Sequence, residues 1–407
     1  MKEICIIIYN SNSTLYGIGN YLKEYLYCLN NLGCKISLIE LGTGDRKDEI
    51  YVKEEGNIRM IHFPFSQHHN FDAHSKGVCR LLRLYLEDSE NLVFHFQYPE
   101  NGSLFEEIKK YFPLSKSIIT IHYLTWSLQL KGNVALYEKI IRDRENGGIK
   151  EEYRRISSIF EKEKRFLEKV DRVVCLSDDT LNLIQNHYEI KHNVCLIPNG
   201  LRKNYRNLSE KQKKKLREKY YILPEEKVLL FVGRIDRIKG IDYIMNCFDE
   251  IARKYSNCRL VIIGSGGIDD IIKYCKTSWS KITFTGRIDR KILYQWYQIA
   301  DIALFPSFYE ECSYVGIEMM MHGLPIIASD GYSVKNMFHD GLNAKVAKIE
   351  NRDKKTNFEK NLKESILELL NSDLAASKIK KGAIKIYQSK YSIECMQNGY
   401  SYLLNSL

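Results

Sequence analysis

Two glutamates eight positions apart, Glu310 and Glu318, are the first candidates for chemistry. They lie in YEECSYVGIEMMMHG, residues 309–323, where a polar segment becomes apolar. An apolar segment precedes them and a helical pattern follows, so Glu310 is predicted on a loop and Glu318 one to two turns into a helix. We therefore expect the two carboxylates to contact different parts of one ligand rather than to form an acid–base pair.

The expected helix start between these glutamates could bind a phosphate. Ser313, Tyr314 and Val315 lie where the loop becomes helix. The first amide groups of a helix have no partner inside the helix, and its dipole favours an anion there. The methionines that follow indicate only core packing.

A basic pair, Arg234 and Lys239, stands in FVGRIDRIKG, residues 231–240. Gly233 permits a tight turn after the apolar strand, and the two cations flank the start of the next helix. Two cations beside helix amides could neutralise a diphosphate without a metal ion.

Two more glycine turns follow apolar strands. IIGSGG contains Gly264 and Gly266, and STLYGIGNYL contains Gly17 and Gly19. Glycine lets the backbone approach a phosphate or a sugar closely. The second segment is not a G-x-G-x-x-G fingerprint and no acidic residue follows at the dinucleotide-site spacing, which disfavours a dehydrogenase.

The histidines give one strong candidate. His122 ends the apolar strand of TIHYLTW, and His95 ends that of FHFQ. A lone histidine near a strand end is usually a core residue, but the strand of His122 should end at the crevice where ligands bind. A further group suggests a metal site, but its spacings match no known pattern, so we expect no metal: His62, His68, His69 and His74.

Short apolar segments alternate with helical patterns along the whole chain. This alternation predicts an α/β fold with doubly wound parallel sheets covered on both faces. The predicted strands are 4–9, 35–41, 91–97, 117–123, 172–177, 193–198, 227–233, 259–264, 281–286, 301–307 and 324–330.

The length of 407 residues predicts two domains. We place them at 1–205 and 206–384, with a helical segment at 385–407 packing back on the first. Residues 127–170 are predicted to be a charged helical insert. Two such domains are expected to face a central cleft, with ligands at the strand carboxyl ends.

Composition narrows the class of protein. Net charge is +10, and eleven cysteines are scattered singly with no C-x-x-C pair. Free thiols favour a reducing, cytoplasmic location, and no apolar run is long enough to span a membrane. The densest basic run, 211–219, lacks interleaved aromatic residues, which disfavours nucleic acid as a partner.

Taken together, these segments resemble a family-4 retaining glycosyltransferase of the GT-B fold, over nearly the whole chain and most strongly over 227–346. The resemblance rests on a series of motifs in one order. They are YGIG, the strand-end His122, VCLS, CLIPNG, VGRIDRIKG, GSG, TGRID, IADIALFPS, and E-x7-E followed by HGLPIIASD.

The resemblance implies a role for each matched residue. Arg234 and Lys239 would contact the donor diphosphate, Glu318 the ribose, and Glu310 the transferred sugar. His122 would lie at the reacting sugar. The glycine turns would lie along the donor with Arg287 of TGRID, and Gly17 and Gly19 near its phosphates and the acceptor. The donor would be a UDP- or GDP-sugar, with no other cofactor.

The chain departs from the family pattern in places that bear on the sugar. E-G-F-G is usual after the first glutamate, and Glu311, Cys312 and Ser313 stand there instead. Tyr16 replaces one glycine of the first loop, and Lys335 and Asn336 stand where an acidic residue is common. Diphosphate and ribose binding should persist, while sugar identity is open.

The implied reaction transfers a sugar to an acceptor hydroxyl with retention of anomeric configuration, in glycan or glycoconjugate synthesis. The acceptor is open among a sugar, a lipid-linked sugar and a peptide, and the aromatic, histidine-rich segment 62–74 could line its groove. A lipid-linked acceptor would suit peripheral membrane contact through basic residues. The alternatives are an epimerase or hydrolase of the same fold and a catalytically silent nucleotide-sugar-binding protein.

Overall fold

The chain folds into two α/β units. The computed structural model describes residues 1–9, 17–42, 49–64, 71–130, 132–274, 276–350 and 355–407. Unit 1 comprises Met1–Gly200 and Ile393–Leu407, and unit 2 comprises Leu201–Ser392. The boundaries lie a few residues from the expected 205/206 and 384/385.

Unit 1 is built on a largely parallel sheet with the strand order β3-β4-β2-β1-β5-β6-β7-β8, in which only β3 and β4 pair antiparallel among the described strands. Its strands are β1 (Glu3–Tyr9), β2 (Lys35–Leu41), β3 (Tyr51–Glu55), β4 (Ile58–Phe63), β5 (Leu92–Phe96), β6 (Lys116–Ile121), β7 (Arg172–Cys175) and β8 (Val194–Leu196). Its first helices are α1 (Gly17–Asn31), α2 (Phe71–Leu82), α3 (Gly102–Tyr111), α4 (Thr125–Gln129), α5 (Val134–Glu145), α6 (Arg154–Lys169) and α7 (Asp178–Asn186).

Unit 2 contains a fully parallel sheet with the order β11-β10-β9-β12-β13-β14. Its strands are β9 (Lys227–Val232), β10 (Cys258–Ile263), β11 (Ile282–Gly286), β12 (Ile302–Phe305), β13 (Ile326–Ser329) and β14 (Lys345–Ala347). Its helices are α8 (Glu210–Lys219), α9 (Ile241–Lys254), α10 (Ile268–Ile272), α11 (Arg290–Ile299), α12 (Tyr314–Met321), α13 (Val334–Met337), α14 (Lys355–Leu370) and α15 (Asp373–Ile386).

The strand order of unit 2 reverses at β9, which pairs with β10 on one side and β12 on the other. Its core packs β9 against α9, with side chains such as Leu229, Phe231 and Phe248 almost fully buried. In a doubly wound sheet, the crevice at the carboxyl ends of the strands beside such a reversal is where ligands bind. The loops after β9, β10, β11 and β12 therefore border the candidate ligand site.

The last helix, α16 (Ile393–Asn405), belongs to unit 1 and packs against α1. The hydroxyl groups of Tyr400 and Tyr21 lie 2.6 Å apart, and both contact Thr120 at 3.2 and 3.3 Å. This buried polar contact fixes the register of the C-terminal helix on the first helix of the unit.

No helix in the described part of the chain is long and apolar enough to cross a bilayer. The ten cysteines that the structure describes are all free thiols, and most are buried. Burial raises the pKa of Cys247 to about 12, which keeps that thiol protonated and unreactive at neutral pH.

His95 joins the same polar network in the core of unit 1. Its ring nitrogens lie 2.8 Å from the Tyr25 hydroxyl and 2.8 Å from Thr120 Oγ1. Burial lowers the pKa of His95 to about 3, so the ring is neutral at pH 7. The residue is a core histidine with a partner at each ring nitrogen.

This burial predicts a pH dependence of stability. The unfolded chain binds a proton at His95 near pH 6.5 and the folded chain does not, so stability is full above about pH 6.5 and falls between about pH 6.5 and 3. The slope is about 1.4 kcal/mol per pH unit. Denaturant unfolding of wild type and His95→Gln at several pH values measures it.

The difference in unfolding free energy between wild type and His95→Gln isolates the contribution of His95, because the contributions of the other titrating groups are the same in both proteins and cancel. Burial raises the pKa of Glu163 to about 7, for example, and contributes the opposite slope to both proteins. We expect a shallower loss of stability on acidification in His95→Gln. Parallel pH profiles would show that His95 does not carry the effect.

Candidate functional site

Glycines hold three turns together at the carboxyl edge of the unit 2 sheet. The Gly233 amide donates to Ile263 O at 3.0 Å, and the Gly264 amide donates to Gly286 O at 3.0 Å. A Cβ on Gly264, where φ is +151°, would lie 1.8 Å from Gly233 O, and a Cβ on Gly266 would lie 2.3 Å from Ile235 O. No side chain fits at either position, so the exposed backbone of these turns borders the crevice.

Lys239 and Glu310 meet at the reversal point between β9 and β12. Lys239 Nζ donates to Glu310 Oε1 at 2.7 Å, and both side chains are largely buried. The Asp236 side chain caps the 3₁₀ turn that carries Lys239, because its Oδ1 accepts from the Lys239 amide at 3.0 Å. The structure thus brings the two predicted charged residues into direct contact.

Backbone contacts explain why these two distant segments meet. The Phe308 amide donates to Ile238 O at 2.8 Å. Gly240, with φ +72°, lies so close to Pro306 that a Cβ would be 2.2 Å from its carbonyl oxygen. The loop after β12 is therefore fixed against the turn after β9 before any ligand binds, which makes the pair preorganised.

Arg234 and Arg287 lie on the exposed rim of the same edge. Arg234 forms an ion pair with Asp236 at 3.2 Å, and 55% of its side chain is accessible. Arg287 directly follows β11 and is also exposed. Exposed guanidinium groups can reorient toward an anion at little cost, because each gives up only weak surface interactions.

The loop after β12 leads into α12 as expected. Ser313 is the extended N-cap residue, and Tyr314 and Val315 begin the helix. The first helical hydrogen bond runs from the Ile317 amide to Ser313 O at 3.0 Å. The helix start thus points its amide-rich end toward the loop that carries Glu310.

Glu318 is the buried member of the glutamate pair, with only 4% of its side chain accessible. Its Oε1 accepts from Arg290 at 3.2 Å and its Oε2 accepts from Tyr297 at 3.0 Å. Burial raises the pKa of Glu318, while the charge of Arg290 and the hydrogen bond from Tyr297 oppose that shift. The carboxylate is held in one orientation beneath the helix start.

Arg290, Tyr294 and Tyr297 are the site residues that the motif comparison missed. Tyr294 also donates to Glu318 Oε1, at 3.4 Å. The three residues recur at i, i+4 and i+7 of α11, the spacing that places side chains on one helix face. That spacing is the signal that could have identified them.

In unit 1, His122 directly follows β6 and is half-buried. Its Nε2 lies 2.9 Å from Gln97 Oε1, so Nε2 carries the hydrogen, and its ring meets the Tyr21 ring edge-on at 4.5 Å. Burial lowers the pKa of His122 to about 3. The neutral ring cannot donate a second proton at pH 7.

The glycines of the first loop differ from expectation. Gly17 and Gly19 lie in the first turn of α1 rather than in a loop, because the apolar helical pattern extends to its start. The segment before them, 10–16, lies outside the described residues. Their position at a helix N-terminus still offers backbone amides to an anion.

The histidine cluster has no support as a metal site within the described residues. His62 is buried, and its Nδ1 lies 3.0 Å from Glu40 Oε2. His68, His69 and the side chain of His74 lie outside the described residues. No group of three potential ligands able to hold a metal occurs in the described part of the chain.

Comparison with known proteins gives two family matches that follow the two units. Residues 16–204 match the model of Glycosyltransferase Family 4, and residues 226–372 match that of Glycosyl transferases group 1. An uncharacterized glycosyltransferase of Methanocaldococcus jannaschii is 34% identical over 126 residues, which are 30% of this chain and 32% of that protein. The alignments with this and two other curated relatives span from about a third to just under two thirds of their lengths.

Solved structures match over the whole chain. Sucrose-phosphate synthase from Thermosynechococcus elongatus superimposes with a TM-score of 0.77 at 18% identity, covering 100% of this chain and 99% of that one. HepE of Anabaena in complex with UDP superimposes with a TM-score of 0.73 at 14% identity, and the match covers 100% of both chains. At such identities the likeness concerns the fold, which is GT-B, as predicted.

Proposed function

This chain belongs to glycosyltransferase family 4, and from that premise we propose that it transfers a sugar from a nucleoside diphosphate sugar to an acceptor hydroxyl. One observation carries the proposal. A lysine and a carboxylate, Lys239 and Glu310, lie 2.7 Å apart at the strand reversal of unit 2, beside a helix start and glycine turns. Such a cradle suits a diphosphate with a sugar attached.

We assign the residues that contact each part of the donor as follows. Arg234 and Lys239 neutralise the diphosphate, with the amides of Ser313–Val315 as further donors. Glu310 contacts the transferred sugar, and Glu318 accepts from ribose hydroxyl groups. The Arg290 and Tyr297 contacts support this last role because they hold the Glu318 carboxylate in one orientation. HepE was solved in complex with UDP, so UDP-sugars are the first donors to test.

We propose that transfer retains the anomeric configuration. The bond from the sugar C1 to the diphosphate oxygen breaks, and a bond from C1 to the acceptor oxygen forms on the same face. The acceptor proton passes to the departing phosphate oxygen. Lys239 stabilises the negative charge that develops there, because it is already fixed in position. Nuclear magnetic resonance of the product anomer tests retention.

The acceptor is proposed to bind in unit 1, with His122 near the reacting sugar. Because His122 is neutral and its Nε2–H is engaged by Gln97, its role would be polar contact rather than proton donation. A sugar, a lipid-linked sugar or a peptide would suit this site. Free thiols favour the cytoplasm as the location, with peripheral membrane contact for a lipid-linked acceptor.

A donor panel with labelled sugars separates the three candidate activities. The chain is incubated with UDP-, GDP- and dTDP-sugars, with and without an acceptor extract, and the fate of the label is followed. Label on an acceptor supports transfer. Label released as free sugar, or as an altered donor without acceptor, supports hydrolysis or epimerisation. A thermal shift with a donor but no turnover indicates a silent binding protein.

A further inference from the structure

A cavity of about 570 Å³ lies in unit 2, and it shares one lining residue, Tyr297, with the surroundings of Glu318. Its lining includes Lys227, Asp301 and Pro325, which stand at or just before the amino ends of β9, β12 and β13. The donor residues follow the carboxyl ends of the same parallel strands, so the two sites occupy opposite edges of the sheet. The volume is that of a small-molecule site.

The cavity carries net positive charge. Four lysines and two aspartates, Asp301 and Asp373, line it. Two of the lysines already have carboxylate partners, Lys213 with Glu210 at 2.8 Å and Lys227 with Asp301 at 3.8 Å.

The other two lysines, Lys203 and Lys380, form no ion pair within the described residues. Lys203 instead lies over the ring of Tyr205 at 5.3 Å. Lys380 interacts with the Glu210 carboxylate only beyond ion-pair distance. Two ammonium groups outside any ion pair at one cavity favour an anion.

His322 adds an uncharged ring to the lining of the cavity. Its Nδ1 lies 2.8 Å from Glu318 O and therefore carries the hydrogen. Burial lowers the pKa of His322 to about 4, so the ring is neutral and Nε2 is an acceptor. Nε2 is buried and has no hydrogen-bond partner among the described residues. Because Nε2 has no surface open to the cavity, His322 contributes an uncharged ring to the lining rather than a hydrogen bond to a ligand.

Tyr205 and His322 are aromatic residues of the cavity lining. The rings of Tyr205 and His322 stack 3.9 Å apart at 18°, and the Tyr205 hydroxyl donates to Met321 O at 3.0 Å. A stacked pair anchored at both ends offers a rigid apolar surface beside the charged groups. A saturated ring with hydroxyl groups on its edge would match it.

We propose that this cavity binds a phosphorylated sugar or polyol, with the phosphate at Lys203 and Lys380 and the ring of the ligand against Tyr205 and His322. A dissolved sugar phosphate and the headgroup of an inositol phospholipid share this chemistry. The proposal does not rest on the transferase activity, since none of these groups belongs to the donor site.

Isothermal titration calorimetry of the full chain with D-glucose 6-phosphate tests the proposed binding. We expect saturable binding, weaker binding of inorganic phosphate, and none of D-glucose. The double variant Lys203→Ala/Lys380→Ala should lower the affinity about tenfold or more, since two charge-assisted contacts are lost. The control Lys378→Ala/Lys381→Ala removes the same charge from α15, outside the cavity lining, and should bind as wild type does.

Two further experiments show where the ligand binds and whether it is a dissolved molecule or a lipid headgroup. Lys239→Ala should keep its affinity for glucose 6-phosphate, because it alters only the donor edge. The second experiment is cosedimentation with phosphatidylcholine vesicles that contain phosphatidylinositol. Cosedimentation that is lost in Lys203→Ala/Lys380→Ala would identify a lipid headgroup as the ligand. Binding of glucose 6-phosphate in the titration without cosedimentation would identify a dissolved sugar phosphate. No saturable binding, equal loss in both double variants, or loss in Lys239→Ala would overturn the proposal.

Discussion

Replacing Lys239 by alanine should lower kcat about 10²–10³-fold, the loss that follows removal of one preorganised group from a developing charge. The ammonium is fixed by Glu310 at 2.7 Å and by the capped turn on which it stands. It therefore needs little reorganisation when charge develops on the leaving diphosphate. Steady-state kinetics with the donor identified in the panel measures the effect.

The control for this prediction lies two residues away. Arg237 is exposed on the same 3₁₀ turn, and Arg237→Ala removes an equal charge without touching Glu310. It should retain near-normal turnover. Arg234→Ala tests the second assigned cation and should act in the same direction as Lys239→Ala. Near-normal kinetics in folded Lys239→Ala would remove Lys239 from the proposed mechanism.

The second large effect is on stability, from Gly264→Ala. The new Cβ would lie 1.8 Å from Gly233 O, at a φ of +151° that side chains rarely adopt. Because the obstacle is backbone, the turns after β9 and β10 must separate. We expect the free energy of unfolding of unit 2 to fall by about 3 kcal/mol or more.

Gly341→Ala separates backbone strain from the steric clash. Gly341 has a φ of +68°, and a Cβ there would meet no atom within 4 Å. That variant should lose only about 1 kcal/mol, the cost of the left-handed conformation for alanine. Denaturant unfolding followed by circular dichroism compares the two. Equal stability of the two variants would mean that the close approach of Gly264 to Gly233 is not required.

Much of the fold could be predicted because the buried parallel strands are nearly continuous apolar runs. The segment KISLIEL matches β2 residue for residue. The exceptions have a physical cause. Three strands were not predicted. The edge strand β3 reads YVKEE and is mostly exposed, so it lacks the apolar signal of a buried strand. Its neighbour β4 is buried only over its last three residues, and β14 is only three residues long.

The site was predictable only in part. Strand-end position identified Lys239 and Glu310 separately, but the contact between them joins residues 71 positions apart and depends on the Gly240–Pro306 approach. The TGRID motif pointed to Arg287, whereas Arg290 is the arginine that contacts Glu318. Motifs locate a loop, while the rotation of the following helix decides which side chain reaches the carboxylate.

Hydrogen exchange of the full chain with and without UDP, and likewise GDP, tests most directly that the carboxyl edge of the unit 2 sheet is the donor site. We expect slower exchange in the four segments 233–240, 264–267, 286–290 and 310–318, because bound nucleotide restricts the opening of the turns and the helix start that contact it. Protection confined to other segments, with saturating nucleotide and no change in these four, would contradict this assignment.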